Sequence, residues 1–179
     1  MFGLFKKKKT GIPVTDFVTI SAAAKLNNLL NLWKTNPQAI FICWFEESYN
    51  DMGSFFSQNG ADTGAILMSR EVSSHQLNGK TVLFAEHYPV KAKEEELYEK
   101  LNLQAVTVWS ALEEPLFKAF GGERIIELMK KLGMDKNEPI QHPMISNAIT
   151  NAQQKIEKKI VTESSARSQK EWIEKNYAG

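Results

Sequence analysis

One stretch of this chain, Ala39 to Phe45 (AIFICWF), is an unbroken apolar run, and Ala65 to Met68 (AILM), Thr81 to Ala85 (TVLFA) and Ala105 to Trp109 (AVTVW) repeat its signature, with threonine the one polar residue type among them. A strand with one wet face alternates apolar and polar residues, so a continuous run marks a strand buried on both faces. A fifth β-prone piece, Phe17 to Ile20 (FVTI), precedes them. Helical spacing fills the gaps. Ser21 is placed to cap a helix with Leu26, Leu29, Leu30 and Trp33 on one face, stopped at Asn36-Pro37. Glu46 to Asn59 predicts a second helix with Tyr49, Met52, Phe55 and Phe56 inward, closed at Asn59-Gly60. Lys91 to Leu101 predicts a third, with Leu97, Tyr98 and Leu101 inward. Strand and helix in alternation imply right-handed crossovers and a parallel sheet covered by helices, the α/β class.

Beyond Trp109 the pattern is helical only. Pro115 sits at a first helical position, and the stripe Leu116, Phe117, Phe120 is broken by Gly121-Gly122. Glu123 to Leu132 follows as a packed helix with Ile125, Ile126, Leu128, Met129 and Leu132 on a wide apolar face, ending at Gly133. After Pro143, the residues Ile145, Ile149, Ala152, Ile156 and Ile160 recur at intervals that draw one stripe along a helix. Thr162 to Glu171 reads as a polar spacer, with Trp172, Ile173 and Tyr177 as an apolar tip. We assign Ile145, Ile149, Ile156, Ile160, Trp172 and Ile173 as candidate partner contacts. A helix extended at 1.5 Å per residue soon outruns a domain of this size, so something beyond the α/β core must cover its far half. A second copy of the chain or another protein would do so; the alternative is a helix that curls back on its own domain.

At 179 residues, 42% apolar and 24% charged, the chain has the length and composition of one globular domain, or one with an appendage. Lys plus Arg is 22 and Asp plus Glu 21, so no global field favours nucleic acid, and none is expected as a partner. The single cysteine, Cys43, lies between Ile42 and Trp44, which reads as a buried, inert thiol in a reducing compartment. Charge is concentrated at the start. Lys6, Lys7, Lys8 and Lys9 follow an apolar Phe2, Leu4 and Phe5, the reverse of a secretory signal. These seven residues are candidate contacts to an anionic membrane surface, each lysine contributing roughly 1 kcal/mol; a solvated tail is the other reading.

Few residues are arranged for chemistry. Gly79-Lys80-Thr81 matches the end of a P-loop, but the earlier glycine position holds Ser74 and the tripeptide leads into a strand rather than a helix. A turn at Asn78-Gly79 explains it. The histidines His75, His87 and His142 are scattered, without metal-ligand spacing. Glu86-His87 is the best placed pair, just past the strand Thr81 to Ala85, where open parallel sheets hold their ligands. No nucleophile with an oriented base goes with it, so a polar loop is expected. Glu94-Glu95-Glu96 reads as a solvated face. No catalytic residue, metal ligand or cofactor site is assigned.

One stretch is more specific. Ser110 to Gly121 carries S-L-E-x-x-L-x-x-x-F-G with one shift at Ala111; Arg124-Ile125, Leu132-Gly133-Met134, Ile140-x-His142, Ile145-Ser146-x-Ala148-Ile149 and Ala152-Gln153 follow in register. This region, Ser110 to Lys159, resembles SecA, the ATPase motor of bacterial preprotein translocation, where its second RecA-like domain ends and its long scaffold helix begins. The resemblance implies a RecA-like sheet. The family's phosphate-binding and magnesium motifs belong to a first RecA-like domain, for which this chain has no room. Its arginine-glycine motif is missing too: Lys91 to Gln104 contains no arginine, and the chain's three, Arg70, Arg124 and Arg167, are dispersed. Past Lys159 the sequence departs from the family. The expectation is therefore a tail (1–12), a RecA-like α/β domain (13–142) and a helical extension (143–179). It would be a non-catalytic, cytoplasmic module, peripheral to the inner face of the membrane, acting through a protein partner or homo-oligomer. Half of a split nucleotide-dependent motor and a small enzyme built on Glu86 and His87 are the alternatives.

Overall fold

A computed structural model describes residues 11–131 and 135–177. Five strands, β1 (Val14–Thr19), β2 (Ala39–Cys43), β3 (Ile66–Met68), β4 (Thr81–Phe84) and β5 (Val106–Ala111), form one sheet in the order β1-β5-β4-β2-β3. Every pairing within it is parallel. The chain is an α/β fold of the RecA-like class. Helices α1 (Ala22–Thr35), α2 (Glu46–Gln58) and α3 (Lys91–Lys100) connect the strands, and α4 (Pro115–Lys118), α5 (Gly122–Lys131), α6 (Pro143–Glu157) and α7 (Gln169–Asn176) follow the last one.

The apolar runs are buried on both faces because successive residues alternate across the pleat. Phe41, Cys43, Leu83 and Trp109 pack against Leu29 and Leu30 of α1 and Met52 and Phe56 of α2. Ile42, Phe84, Val106 and Val108 pack on the opposite face against Leu97 and Tyr98 of α3 and against Leu101, which caps it. Tyr49, expected inward, is 37% exposed, one turn from the Met52–Phe56 face. β1 begins three residues before the expected Phe17, because Val14 to Asp16 find partners in Val106 to Val108 of β5.

Ser21 caps α1 as expected, its hydroxyl accepting from the Ala24 N–H at 3.1 Å. Gly121 takes a φ of +89° to turn the chain between α4 and α5. Gly122 is required for a second reason: a Cβ there would lie 2.9 Å from the carbonyl oxygens of Leu112 and Phe117. Leu132 and Gly133, expected to end α5, fall outside the described residues, as do Phe2, Leu4, Phe5 and Lys6 to Lys9.

The predicted stripe is covered from within the chain. α6 stops at Glu157, capped at Lys158, so Ile160 is not on it. Ile149 joins Val18, Ile20, Leu112 and Met129, with Ile145 at the edge of that cluster. Ile156 and Trp172 are fully buried together with Phe45 and Leu116, and Ile160 and Ile173 are partly buried around them. The physical reason is the turn after α6: it lets α7 return to the domain and supply the apolar cover expected from a partner. No helix among the described residues is long and apolar enough to cross a membrane.

Candidate functional site

The loops at the carboxyl ends of the strands gather the buried polar groups of this chain. α2 begins after Phe45, whose side chain offers no acceptor for the helix's first N–H groups. Glu86, from the end of β4, instead ties down the lead-in to the helix and one side chain of its first turn: its Oε1 accepts from the N–H groups of Trp44 (3.0 Å) and Phe45 (3.1 Å), and its Oε2 from the Ser48 hydroxyl (2.5 Å). A carboxylate suits the positive end of a helix. Burial nevertheless pushes the Glu86 carboxyl up to about 7.

Lys25 of α1 is equally enclosed, donating from Nζ to the Ala85 carbonyl at 2.7 Å and to Glu114 Oε1 at 2.5 Å. Burial works to lower its pKa, but the charges of Glu114 and Glu86 outweigh it and hold the ammonium protonated. Cys43 is fully buried beside this group; burial pushes its thiol far up, so it is the inert cysteine expected.

His87 lies on the other side of Glu86. Its Nδ1 is 2.9 Å from Glu94 Oε1 and its Nε2 2.9 Å from Asp16 Oδ1, with all three side chains buried. Burial opposes the charged ring, yet the two carboxylates overcome it and raise His87 to about 10, while Asp16 is held below its usual range by the imidazolium despite its own burial. Both ring nitrogens therefore carry hydrogens at neutral pH and both are donated. No lone pair is left for a general base. Glu94 also accepts from the Tyr88 N–H at 2.8 Å and from Gln153 Nε2 of α6 at 2.9 Å. Gln169 of α7 closes the edge, donating to the His87 carbonyl at 2.9 Å and accepting from the Leu116 N–H at 2.8 Å.

A cleft of about 200 Å³ remains between α1 and α2, lined by Lys25, Asp51, Glu86, Glu113 and Glu114 among others. Its carboxylates outnumber its one lysine, so it repels phosphate. Lys80 of the Gly79-Lys80-Thr81 turn is at the opposite, amino edge of the sheet, where its Nζ hydrogen-bonds Gln38. The turn reading accounts for that tripeptide. The histidines are not brought together: His75 sits in a 3-10 turn, and His142 caps α6 by accepting the Met144 N–H at 3.2 Å. Among the described residues no three His, Cys, Asp or Glu side chains converge as a metal site.

Sequence reasoning found Glu86 and His87 and missed Asp16, Lys25, Glu94, Glu114, Gln153 and Gln169. Glu94 corrects the reading of Glu94 to Glu96 as one solvated face, because it is 3% exposed.

No protein-family profile matches this chain. Among curated proteins it is 29% identical over 162 residues to the protein translocase subunit SecA of Nitratidesulfovibrio vulgaris strain DP4, covering 83% of this chain and 19% of that protein. The SecA of Lachnoclostridium phytofermentans matches at 29% over 161 residues, again 83% of this chain and 19% of the relative. The SecA of Desulforapulum autotrophicum is 55% identical over 47 residues, 26% of this chain and 6% of the relative. This chain carries a SecA-like region. It spans at most about a fifth of the length of these relatives. Within the SecA-like motif residues the geometry is structural. Ile140 pairs with edge strand β1, exchanging hydrogen bonds with Val18 at 2.8 and 2.9 Å. His142 caps α6, Ile149 packs on Val18, and Gln153 reaches Glu94.

Proposed function

We propose that this chain is a non-catalytic SecA-like motor-domain module that acts through protein contacts in protein translocation, with its basic amino terminus holding it to anionic lipid. The observation that carries this reading is the condition of the carboxyl edge. The pair on which the enzyme alternative would rest is already engaged in holding the fold: Glu86 on the lead-in to α2, and His87 between Asp16 and Glu94. The link to translocation is supported by relatives that are named protein translocase subunits.

The test is capture of partners by the full chain with and without ATP, beside an ATPase assay. Equal capture in both conditions and no hydrolysis is the expected result. Capture that requires ATP would favour the split-motor alternative, and turnover abolished by Lys80→Ala would overturn the non-catalytic reading.

A further inference from the structure

The chain contains two Asn-Gly pairs, Asn59-Gly60 and Asn78-Gly79. An asparagine followed by glycine is open to attack from within the chain, because a residue without Cβ leaves its backbone nitrogen free to approach the preceding carboxamide. Both pairs are exposed, and each glycine takes a φ of +69°. Sequence and exposure therefore do not separate them. Hydrogen bonding does.

Asn59 caps the end of α2 and is held by that role. Its N–H donates to the Phe56 carbonyl at 3.0 Å and its Nδ2 to the Phe55 carbonyl at 2.8 Å. The Gly60 N–H donates to the Ser57 carbonyl at 3.1 Å, and Ala61, the next residue, is buried and donates to the Phe56 carbonyl at 2.9 Å. Asn78 stands in the turn from Leu77 to Lys80, with a φ of −59° and a ψ of 123°. That is the type II pattern, with Gly79 at the position that requires positive φ. One backbone bond closes the turn, from the Lys80 N–H to the Leu77 carbonyl at 3.0 Å. Among the described residues, neither the Gly79 N–H nor the Asn78 carboxamide has a hydrogen-bond partner.

We infer that Asn78 is a site of spontaneous deamidation and that Asn59 is protected from it. The reaction uses only this chain and water. The Gly79 nitrogen loses its proton to solvent base and attacks Asn78 Cγ; the N–Cγ bond forms, the Cγ–Nδ2 bond breaks, and ammonia leaves with a proton taken from water. Water then opens the cyclic imide at either carbonyl. Opening at Cγ gives aspartate, and opening at the backbone carbonyl gives isoaspartate, in which the main chain runs through the former side chain. No electrons are gained or lost. The demanding step needs a nitrogen that can shed its proton and turn toward Cγ. A nitrogen whose hydrogen is held by a carbonyl is shielded from proton loss, as in hydrogen exchange, so the bonds at Asn59 and Gly60 must open first. At Asn78 only the single bond of the turn resists rotation. Either product places a carboxylate two residues from Lys80, whose Nζ hydrogen-bonds Gln38. The isoaspartyl product also adds a methylene to the turn that sets Thr81 opposite Ala39 at the start of β4. The site is on the amino edge of the sheet, and the inference does not depend on the translocation reading, so either can fail alone.

The test incubates the full chain at mildly alkaline pH in heavy-oxygen water and follows peptides spanning the two sites by chromatography and mass spectrometry. Position 78 should pass from amide to acid, with heavy oxygen incorporated and two separable acid products, at least about tenfold faster than position 59. In urea, where the fold no longer distinguishes them, the two sites should convert at closely similar rates. Conversion at 59 as fast as at 78 in the folded chain, no conversion at 78, or a preference for 78 that persists undiminished in urea each overturns the proposal. Asn78→Gln, whose longer side chain closes a ring far less readily, should remove the change at 78 and leave the rate at 59 as in the wild type; acid formed at 78 in this variant at the wild-type rate overturns the ring-closure route.

Discussion

Replacing Glu94 by glutamine removes one of the two carboxylates that hold His87 charged, with almost no change in shape. His87 titrates at about 10 in the folded chain against an ordinary 6.5. A histidine raised in this way stabilises the fold fully below about 6.5, and that stabilisation is lost as pH rises toward 10. Between those values the folded state holds one more proton than the unfolded one, so stability falls by about 1.4 kcal/mol per pH unit. The window from pH 7.5 to 8.5 isolates this effect: Glu86 has titrated by about 7, and the raised Cys43 and Lys25 begin to matter only near their ordinary values of 9.0 and 10.5. In Glu94→Gln, burial still opposes the imidazolium while a single carboxylate supports it. The folded pKa then falls back toward the ordinary value, because one of the two carboxylates that offset burial is gone. The variant should be less stable by about 3 kcal/mol at pH 7, the lower end for breaking a buried pair. Its slope between pH 7.5 and 8.5 should be less than half that of the wild type. Urea denaturation followed by circular dichroism at closely spaced pH values measures both. A wild-type stability that is flat across the window, or a variant with an undiminished slope, would refute the reasoning.

Ile156→Asp with Ile160→Asp should remain monomeric in sedimentation and lose at least about 3 kcal/mol, since the first change places an unpaired charge in a sealed cluster. Gly122→Ala should lower stability by about 1–3 kcal/mol in thermal denaturation, because its methyl group meets two backbone carbonyls that cannot both move away. Deleting Met1 to Lys9 should leave the melting temperature unchanged and abolish binding to anionic vesicles, binding that in the full chain weakens as salt is raised.

The sheet was legible because its strands are buried on both faces, and a continuous apolar run needs no partner information to be recognised. The polar edge was legible only where signals were local. Glu94 could have been found: Glu94, Leu97, Tyr98 and Leu101 share the spacing of one helix face, and the first three are buried with the last. Reading it with Glu95 and Glu96 as a charge run hid that. Asp16 and His87 are 71 residues apart, and Lys25 and Glu114 are 89 apart, so no window along the chain contains either pair. The end of α6 was illegible for a related reason. Glu157 to Ile160 contains no glycine or proline, and the stripe from Ile156 to Ile160 continues the helical spacing. The turn back is set by where Gln169 and Trp172 can be buried, a tertiary demand.

The SecA-like positions can be asked what they do here, and the answer separates resemblance from mechanism. Ile140, His142, Ile149 and Gln153 all serve one end, fastening α6 along the open edge of β1. Ile140 extends the sheet by one antiparallel bridge, His142 starts the helix, Ile149 packs it, and Gln153 joins it to the Asp16–His87–Glu94 group. Packing and capping demands of this kind persist wherever a helix lies on an edge strand, whether or not the sheet turns over a nucleotide. High identity over a short stretch is then expected from the scaffold alone, and the chemistry must be judged at the carboxyl edge. At that edge the cleft is acidic, the imidazole is locked between carboxylates, and the remaining opening is filled by residues 163–177.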